Sequence, residues 1–357
     1  MPDDIRQLDA NFAATASADD GLTWCDIRDL GVDGRAFEDV ESFYDRFPAR
    51  ARGVIPEPVW ELSLRTAGMA VRFETDAAEI HVRWTLRFEN LAMHHMPATG
   101  VSGLDLYGWT GDAWRFAGAA WPERFPHNTM MIGKQLDGRR RTYICYLPLY
   151  NGVEKVELAV PAGASIKPAA EPNDPHGRPI LFYGTSIVNG GCASRPGMAY
   201  PAMIARQLNR RSYNFGFSGN ARAEVEVARL LAELDPCAYV IDPLPNMNPQ
   251  LVQQRIRPFV ETLRQARPRT PIVLVEHITY QTSTFSQVRD IDCKNKNAAL
   301  RAAYEAMTQA GVNDLHYLTT DTLLGSDFEA TVDGTHPTDL GFRRMADALT
   351  PVLRPLV

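Results

Sequence analysis

Four short stretches of this chain carry residues that could do chemistry together. The first is Gly184-Thr185-Ser186, which closes an apolar run, Ile180–Tyr183, that reads as a buried strand. A strand ending in a glycine turn before a helix exposes the turn residue and aims backbone N–H groups outward. The residue presented is Ser186. A serine hydroxyl is a weak nucleophile at neutral pH, so this chemistry needs a general base and donors for an oxyanion. Downstream, Val332-Asp-Gly-Thr-His-Pro-Thr-Asp-Leu-Gly341 supplies His336 with Asp333 on the same turn. His336 can take the Ser186 proton and return it to a leaving alcohol, while Asp333 fixes the tautomer and stabilises the imidazolium. Asn214-Phe-Gly-Phe-Ser-Gly-Asn-Ala221 and Asp242-Pro-Leu-Pro-Asn-Met-Asn248 lie between them and offer candidate oxyanion donors.

Those stretches belong to a region of alternating strand and helix. Helical patterns run over Met198–Asn209, Ala223–Leu234, Leu251–Ala266 with a kink expected at Pro258, Asp292–Ala310 and Thr338 to Leu349. Apolar strands are predicted at Ala238–Ile241, Ile272–Glu276 and Leu315–Leu318. Such alternation implies a parallel sheet covered by helices on both faces, with its site beyond the carboxyl ends of the strands. The preceding region has a different texture. Val59–Leu64, Met69–Phe73, Glu79–Trp84 and Val153–Val160 are short, partly alternating runs separated by turn residues, which predicts an all-β sandwich or jelly roll. The proline-rich stretch Ile166–Pro179 reads as the linker. The predicted organisation is a β-sandwich over residues 20–172 and an α/β/α domain over 178–357.

The four blocks, in this order, resemble the SGNH (GDSL-like) hydrolase superfamily, named for a Ser, a Gly, an Asn and a His in successive blocks. Position by position these are Ser186, Gly219, Asn246 and His336, with Asp333 in the family's Asp-x-x-His signature. The resemblance implies a flavodoxin-like α/β/α domain and a Ser186–His336–Asp333 triad. It also implies an oxyanion hole made by the N–H groups of Ser186 and Gly219 and the Asn246 amide, with no metal or cofactor. Val59–Leu64 and Ser102-Gly-Leu-Asp-Leu-Tyr107 are similar to what precedes the hydrolase domain in members with an N-terminal β-sandwich. Two departures stand out. Thr185 replaces the usual aspartate before the nucleophile, and Leu244-Pro-Asn-Met247 replaces Gly-x-Asn-Asp, leaving Asn248 as an alternative to Asn246. The implied activity is a serine esterase acting on O-acyl groups, foremost O-acetyl groups of a carbohydrate. The alternatives are a short-chain ester or lipid acylhydrolase, or a non-catalytic carbohydrate-binding protein.

Asn189, Cys192 and Arg195 follow the nucleophile and are candidates to line the pocket, or to brace their loop. Arg195 is suited to grip a carboxylate or a sugar hydroxyl. His277 ends a predicted strand and either faces the site or closes the sheet. Adjacent residues of a strand point to opposite faces, which argues against metal binding by His94-His95. The loop at Gly190-Gly191 lacks the pattern of a phosphate or dinucleotide site. All six tryptophans fall in the first half, where they fill a core or stack on sugar rings. Net charge is −6 with no basic run, which argues against nucleic acid and anionic membrane as partners. Five cysteines without a C-x-x-C pair predict reduced thiols. The N-terminal residues lack signal-peptide character, so the expected location is cytoplasmic, or secreted or periplasmic if a signal was trimmed. The expected partner is a small-molecule or glycan ester, and the sequence leaves the oligomeric state open.

Overall fold

The computed structural model describes residues 21–169 and 177–357. Two antiparallel sheets build the first half. One has the strand order β1 (Leu22–Asp26), β9 (Val153–Pro161), β4 (Ile80–Leu86), β7 (His127–Gly133). The other runs β10 (Ile166–Pro168), β3 (Ala70–Thr75), β8 (Arg141–Tyr146), β5 (Leu104–Trp109), β6 (Trp114–Ala120), with β2 (Val32–Asp33) paired to β3. Alternation decides which side chains meet between them. Along β4, Ile80, Val82, Trp84 and Leu86 all turn inward, against Val71 and Phe73 of β3 and Val156 and Leu158 of β9. Trp60 and Trp84 are fully buried, whereas Trp24, Trp109, Trp114 and Trp121 stay partly accessible.

The second half is a five-stranded parallel sheet in the order β12 (Ser212–Gly216), β11 (Ile180–Gly184), β13 (Ala238–Asp242), β14 (Ile272–Val275), β15 (Leu315–Leu318). Every residue of β11, β13 and β14 is buried, as expected of strands covered on both faces. Leu181, Tyr183, Tyr239 and Ile241 face one helical layer. Ile180, Phe182, Val240 and Val273 face the other, where Phe342, Met345 and Leu349 of the closing helix Asp339–Leu353 sit. The strand order reverses direction between β11 and its two neighbours, which is where open parallel sheets leave a crevice. Among the described residues no helix is long and apolar enough to cross a membrane.

Three expectations change. Val59–Leu64 is not a strand: Glu57–Ser63 forms a helix, α1, with Pro58 in its first turn. Its buried residues, Val59, Trp60 and Ser63, fall at helical rather than alternating spacing. Val59 and Trp60 pack with Phe37 and Phe47 on the parallel sheet, so chain that precedes most of the sandwich supplies core to the other half. Second, the expected linker begins as structure: Ile166–Pro168 is an edge strand paired with Phe73–Thr75, a position where proline needs no ladder donor. Residues 170–176 of that expected linker lie outside the described residues. Third, the helix predicted from Asp292 starts at Gln287, because Ser286 caps it by accepting from the Arg289 N–H. Helix Pro249–Ala266 continues through Pro258.

Candidate active site

The site is assembled at the carboxyl ends of three adjacent strands. β11 ends at Gly184, where a Cβ would overlap the carbonyl group of Asp242 on β13. Glycine there lets the chain turn tightly into helix α2 (Ser186–Asn189). Thr185 caps that helix: its Oγ1 accepts from the Ile187 N–H at 3.4 Å. The residue that departs from Gly-Asp-Ser therefore retains a local backbone-capping role. Ser186 opens the helix and is nearly buried.

The Ser186 Oγ lies 2.9 Å from His336 Nε2, and His336 Nδ1 lies 2.7 Å from Asp333 Oδ2. The other carboxylate oxygen of Asp333 accepts the backbone N–H groups of Thr335 at 2.9 Å and His336 at 2.7 Å. Burial alone would raise the Asp333 carboxyl. The His336 N–H, the imidazole and the Thr335 N–H outweigh it and bring the group down to about 2. An ionised carboxylate at Nδ1 keeps the proton on that nitrogen and leaves the Nε2 lone pair facing the serine. The turn is held from outside by Gln281, whose N–H donates to the Gly334 carbonyl at 3.0 Å.

The second block follows β12. Gly219 has φ +69°, a conformation that disfavours any residue with a Cβ, and it is exposed. The third block follows β13 as a single turn, Leu244–Asn246. The Asn246 amide donates to the Asn220 carbonyl, tying this block to the one before it. Asn248 is occupied elsewhere: its Oδ1 accepts from the Leu251 N–H at 2.8 Å as the cap of the next helix. Beside Asn220 opens a cleft of about 800 Å³ lined by Arg222, Glu224, Gln254, Arg255 and Pro56.

Three further expected residues have partners within the protein. The Asn189 amide donates to the Leu149 carbonyl at 3.0 Å, bracing the nucleophile helix against the sandwich half. The Arg195 guanidinium pairs with the buried Asp105 at 2.6 Å and lies over the Phe116 ring at 4.2 Å, the bracing alternative for this residue. His277 is fully buried beneath Tyr280, with Nδ1 against the Ile278 carbonyl, so burial holds it far below the usual imidazole range, at about 4. Cys192 lies close to His336, as does His95, whose ring meets the His336 ring at 5.6 Å. His94 and His95 are not in a strand but in the turn between Met93 and Met96.

Sequence reasoning missed the contacts from the sandwich half. Tyr150 donates to the Ser186 carbonyl at 3.4 Å. Arg46 donates to the carbonyls of Asn214 and Gly216 at 2.9 and 3.0 Å, pinning the end of β12. Asp105, in the Gly103-Leu-Asp-Leu-Tyr107 segment, accepts from the Gly197 N–H at 3.0 Å as well as from Arg195. That segment was the one available signal, because an aspartate inside an otherwise apolar strand needs a buried partner.

This fold and geometry define an SGNH-type acylhydrolase scaffold behind an N-terminal β-sandwich. Residues 177–354 match the GDSL-like lipase/acylhydrolase family, and residues 22–166 match the N-terminal domain of SGNH-hydrolase-type esterases. A crystal structure from Bacteroides ovatus, assigned to the GDSL-like lipases, is 32% identical, with a TM-score of 0.88 over 94% of this chain and 98% of that one. The chain belongs to this family. The salicylyl-acyltransferase SsfX3 of a tetracycline biosynthetic pathway shares the fold at 16% identity, with a TM-score of 0.72 over 96% of this chain and 98% of its own. A family two carbohydrate esterase from Cellvibrio japonicus shares it at 14% identity, with a TM-score of 0.60 over 94% and 98% of the two chains. No curated protein matches this chain.

Proposed function

We propose that this protein is a serine esterase that removes O-acyl groups, most of all O-acetyl, from a carbohydrate or glycan-derived compound. The observation that carries the reading is the continuous Ser186–His336–Asp333 contact, 2.9 Å and then 2.7 Å. In this mechanism Ser186 Oγ attacks the acyl carbonyl carbon as His336 Nε2 takes its proton. The oxyanion is received by the N–H groups of Ser186 and Gly219 and by the Asn246 amide. His336 then protonates the leaving alcohol oxygen, and a water, deprotonated by the same nitrogen, hydrolyses the acyl-Ser186 ester.

Support for a polyol leaving group comes from the cleft beside Asn220, where two arginines, two glutamates and a glutamine stand among prolines, Val225 and Leu251, a mixed lining that suits the hydroxyls and apolar faces of a sugar. The carbohydrate esterases that share the fold are consistent with it. The test is hydrolysis of acetyl and octanoyl p-nitrophenyl esters, and of acetylated xylo-oligosaccharides, by the wild type and by Ser186→Ala. The expected result is acetyl turnover from both substrate types that vanishes with the serine. Turnover that survives the substitution would remove Ser186 as nucleophile. Preference for octanoate would favour a lipid or longer-chain acylhydrolase.

A further inference from the structure

The proposed base has two neighbours that the ester mechanism does not use. His95 sits in the turn closed by mutual backbone bonds of Met93 and Met96, at 3.0 and 3.1 Å, and Met96 is buried. The His95 ring stands edge-on to His336, 62° from parallel. Cys192 follows the Gly190-Gly191 bend, whose N–H groups are bonded to the Ser186 carbonyl, and is itself nearly buried. One ligating atom from each of His95, Cys192 and His336 lies within 4.8 Å of the others.

We propose that His95, Cys192 and His336 form an inhibitory site for a thiophilic divalent cation, of which Zn²⁺ is the type, that reversibly disables the base. The inference rests on the reading of His336 as that base. The donor set, two imidazoles and a thiol, suits zinc and excludes magnesium or calcium, which take oxygen ligands. Zinc bonds to nitrogen and sulfur place ligand atoms about 3.3–3.6 Å apart in a tetrahedron. The exposed His95 side chain is free to make up the difference by rotating. Asp333 holds Nδ1 of His336, the carboxylate–histidine arrangement that orients a zinc-bound imidazole, so the nitrogen presented to the cation is the one presented to Ser186.

Binding involves no redox change. The cation takes the Nε2 lone pair of His336, displacing the Ser186 hydroxyl, and one ring nitrogen of His95. Cys192 binds as thiolate and its proton passes to solvent; a water completes the coordination.

The test uses the full chain with CoCl₂ and ZnCl₂ as probes. The expected result is a thiolate-to-cobalt charge-transfer band that saturates at one equivalent and is absent from Cys192→Ala. Zinc should suppress p-nitrophenyl acetate hydrolysis, and a chelator should restore it. In Cys192→Ala and His95→Gln, each compared with its own metal-free rate, half-inhibition should need roughly tenfold more zinc or beyond. His95 is exposed, so its variant should fold even if the cysteine variant does not. A wild type without the cobalt band, or variants as sensitive to zinc as the parent, would overturn the site. A Cys192-dependent band in a protein that hydrolyses no ester would uphold the metal site and sink the reading of His336 as a base.

Discussion

The phenol of Tyr150, carried by the sandwich half, donates to the backbone carbonyl of Ser186 at 3.4 Å. The nucleophile is thus held from the other domain, one residue after Leu149 accepts the Asn189 amide at the far end of the same short helix. The Ser186 carbonyl keeps its bonds from Gly190 and Gly191 when the phenol is removed. Tyr150→Phe should therefore misplace the serine slightly without unfolding the turn. A neutral hydrogen bond is worth about 0.5–1.5 kcal/mol, so kcat should fall roughly two- to tenfold with KM little changed. Steady-state kinetics on p-nitrophenyl acetate reads this directly, and a rise in KM alone would mean that Tyr150 touches substrate instead.

Asp333 is ionised throughout the working pH range, because its neighbours bring it down to about 2. Its folded value lies below the ordinary 3.8, so what it adds to stability is complete above that value and lost as pH falls through about 2. Activity lost on acidification above about pH 4 must then come from another group. Asp333→Asn keeps the shape but removes the charge that fixes the His336 tautomer, and kcat should drop by about 10³–10⁴. A loss below about tenfold would show that the carboxylate only shapes its turn.

The two asparagines of the third block separate by assay. Asn246→Ala removes a proposed oxyanion donor and should lower kcat by about 10²–10³. Asn248→Ala removes a helix cap and should cost roughly 0.5–2 kcal/mol of stability while leaving kcat near the wild-type value. The reverse pattern in kinetics and urea unfolding would exchange their roles.

Much of this arrangement was legible because strand, turn and helix alternate with strong local signals. Ser186 stands where an apolar run meets glycine, and Asp333 and His336 share a turn by spacing alone. The strand expected around Trp60 is a helix because a run of apolar and polar residues six long fits either period, and only its packing on the parallel sheet decides for helix. His95 was discounted by a strand rule in a segment that is a turn. Sequence alone leaves Arg195 between a ligand grip and a loop brace because its partner, Asp105, is 90 residues earlier in another domain. Contacts of that range leave no periodic trace in a single sequence.

Arg195 and Asp105 give a stability prediction that the ligand-grip reading does not. Asp105 is fully buried, and burial pushes its carboxyl up against the pull of Arg195. Arg195→Ala removes the cation paired with that carboxylate, leaving the Gly197 N–H and the charge of Arg206, and should destabilise the protein by roughly 3–5 kcal/mol. The pair Asp105→Asn with Arg195→Met should recover part of the loss, since the carboxylate goes together with its paired guanidinium. A double-mutant cycle in urea reads the coupling. An Arg195→Ala protein of wild-type stability with a raised KM would return the residue to the substrate.

Asp242 ends β13, two residues before the turn that carries Asn246, and is buried with the Tyr200 hydroxyl donating to it at 3.1 Å. Burial pushes its carboxyl up to about 8, against a smaller opposing effect of the Tyr200 bond. A carboxyl raised on folding adds stability below its ordinary value of 3.8 and loses it as pH rises through about 8. Asp242→Asn cannot ionise and can still accept from Tyr200. Any fixed penalty from its extra N–H groups is independent of pH. Relative to wild type, the variant should therefore gain stability steadily from about pH 5 upward and level off above about pH 9. Urea midpoints for both proteins across that range make the measurement, and a difference that stays constant with pH would show that Asp242 is ionised in the folded protein throughout.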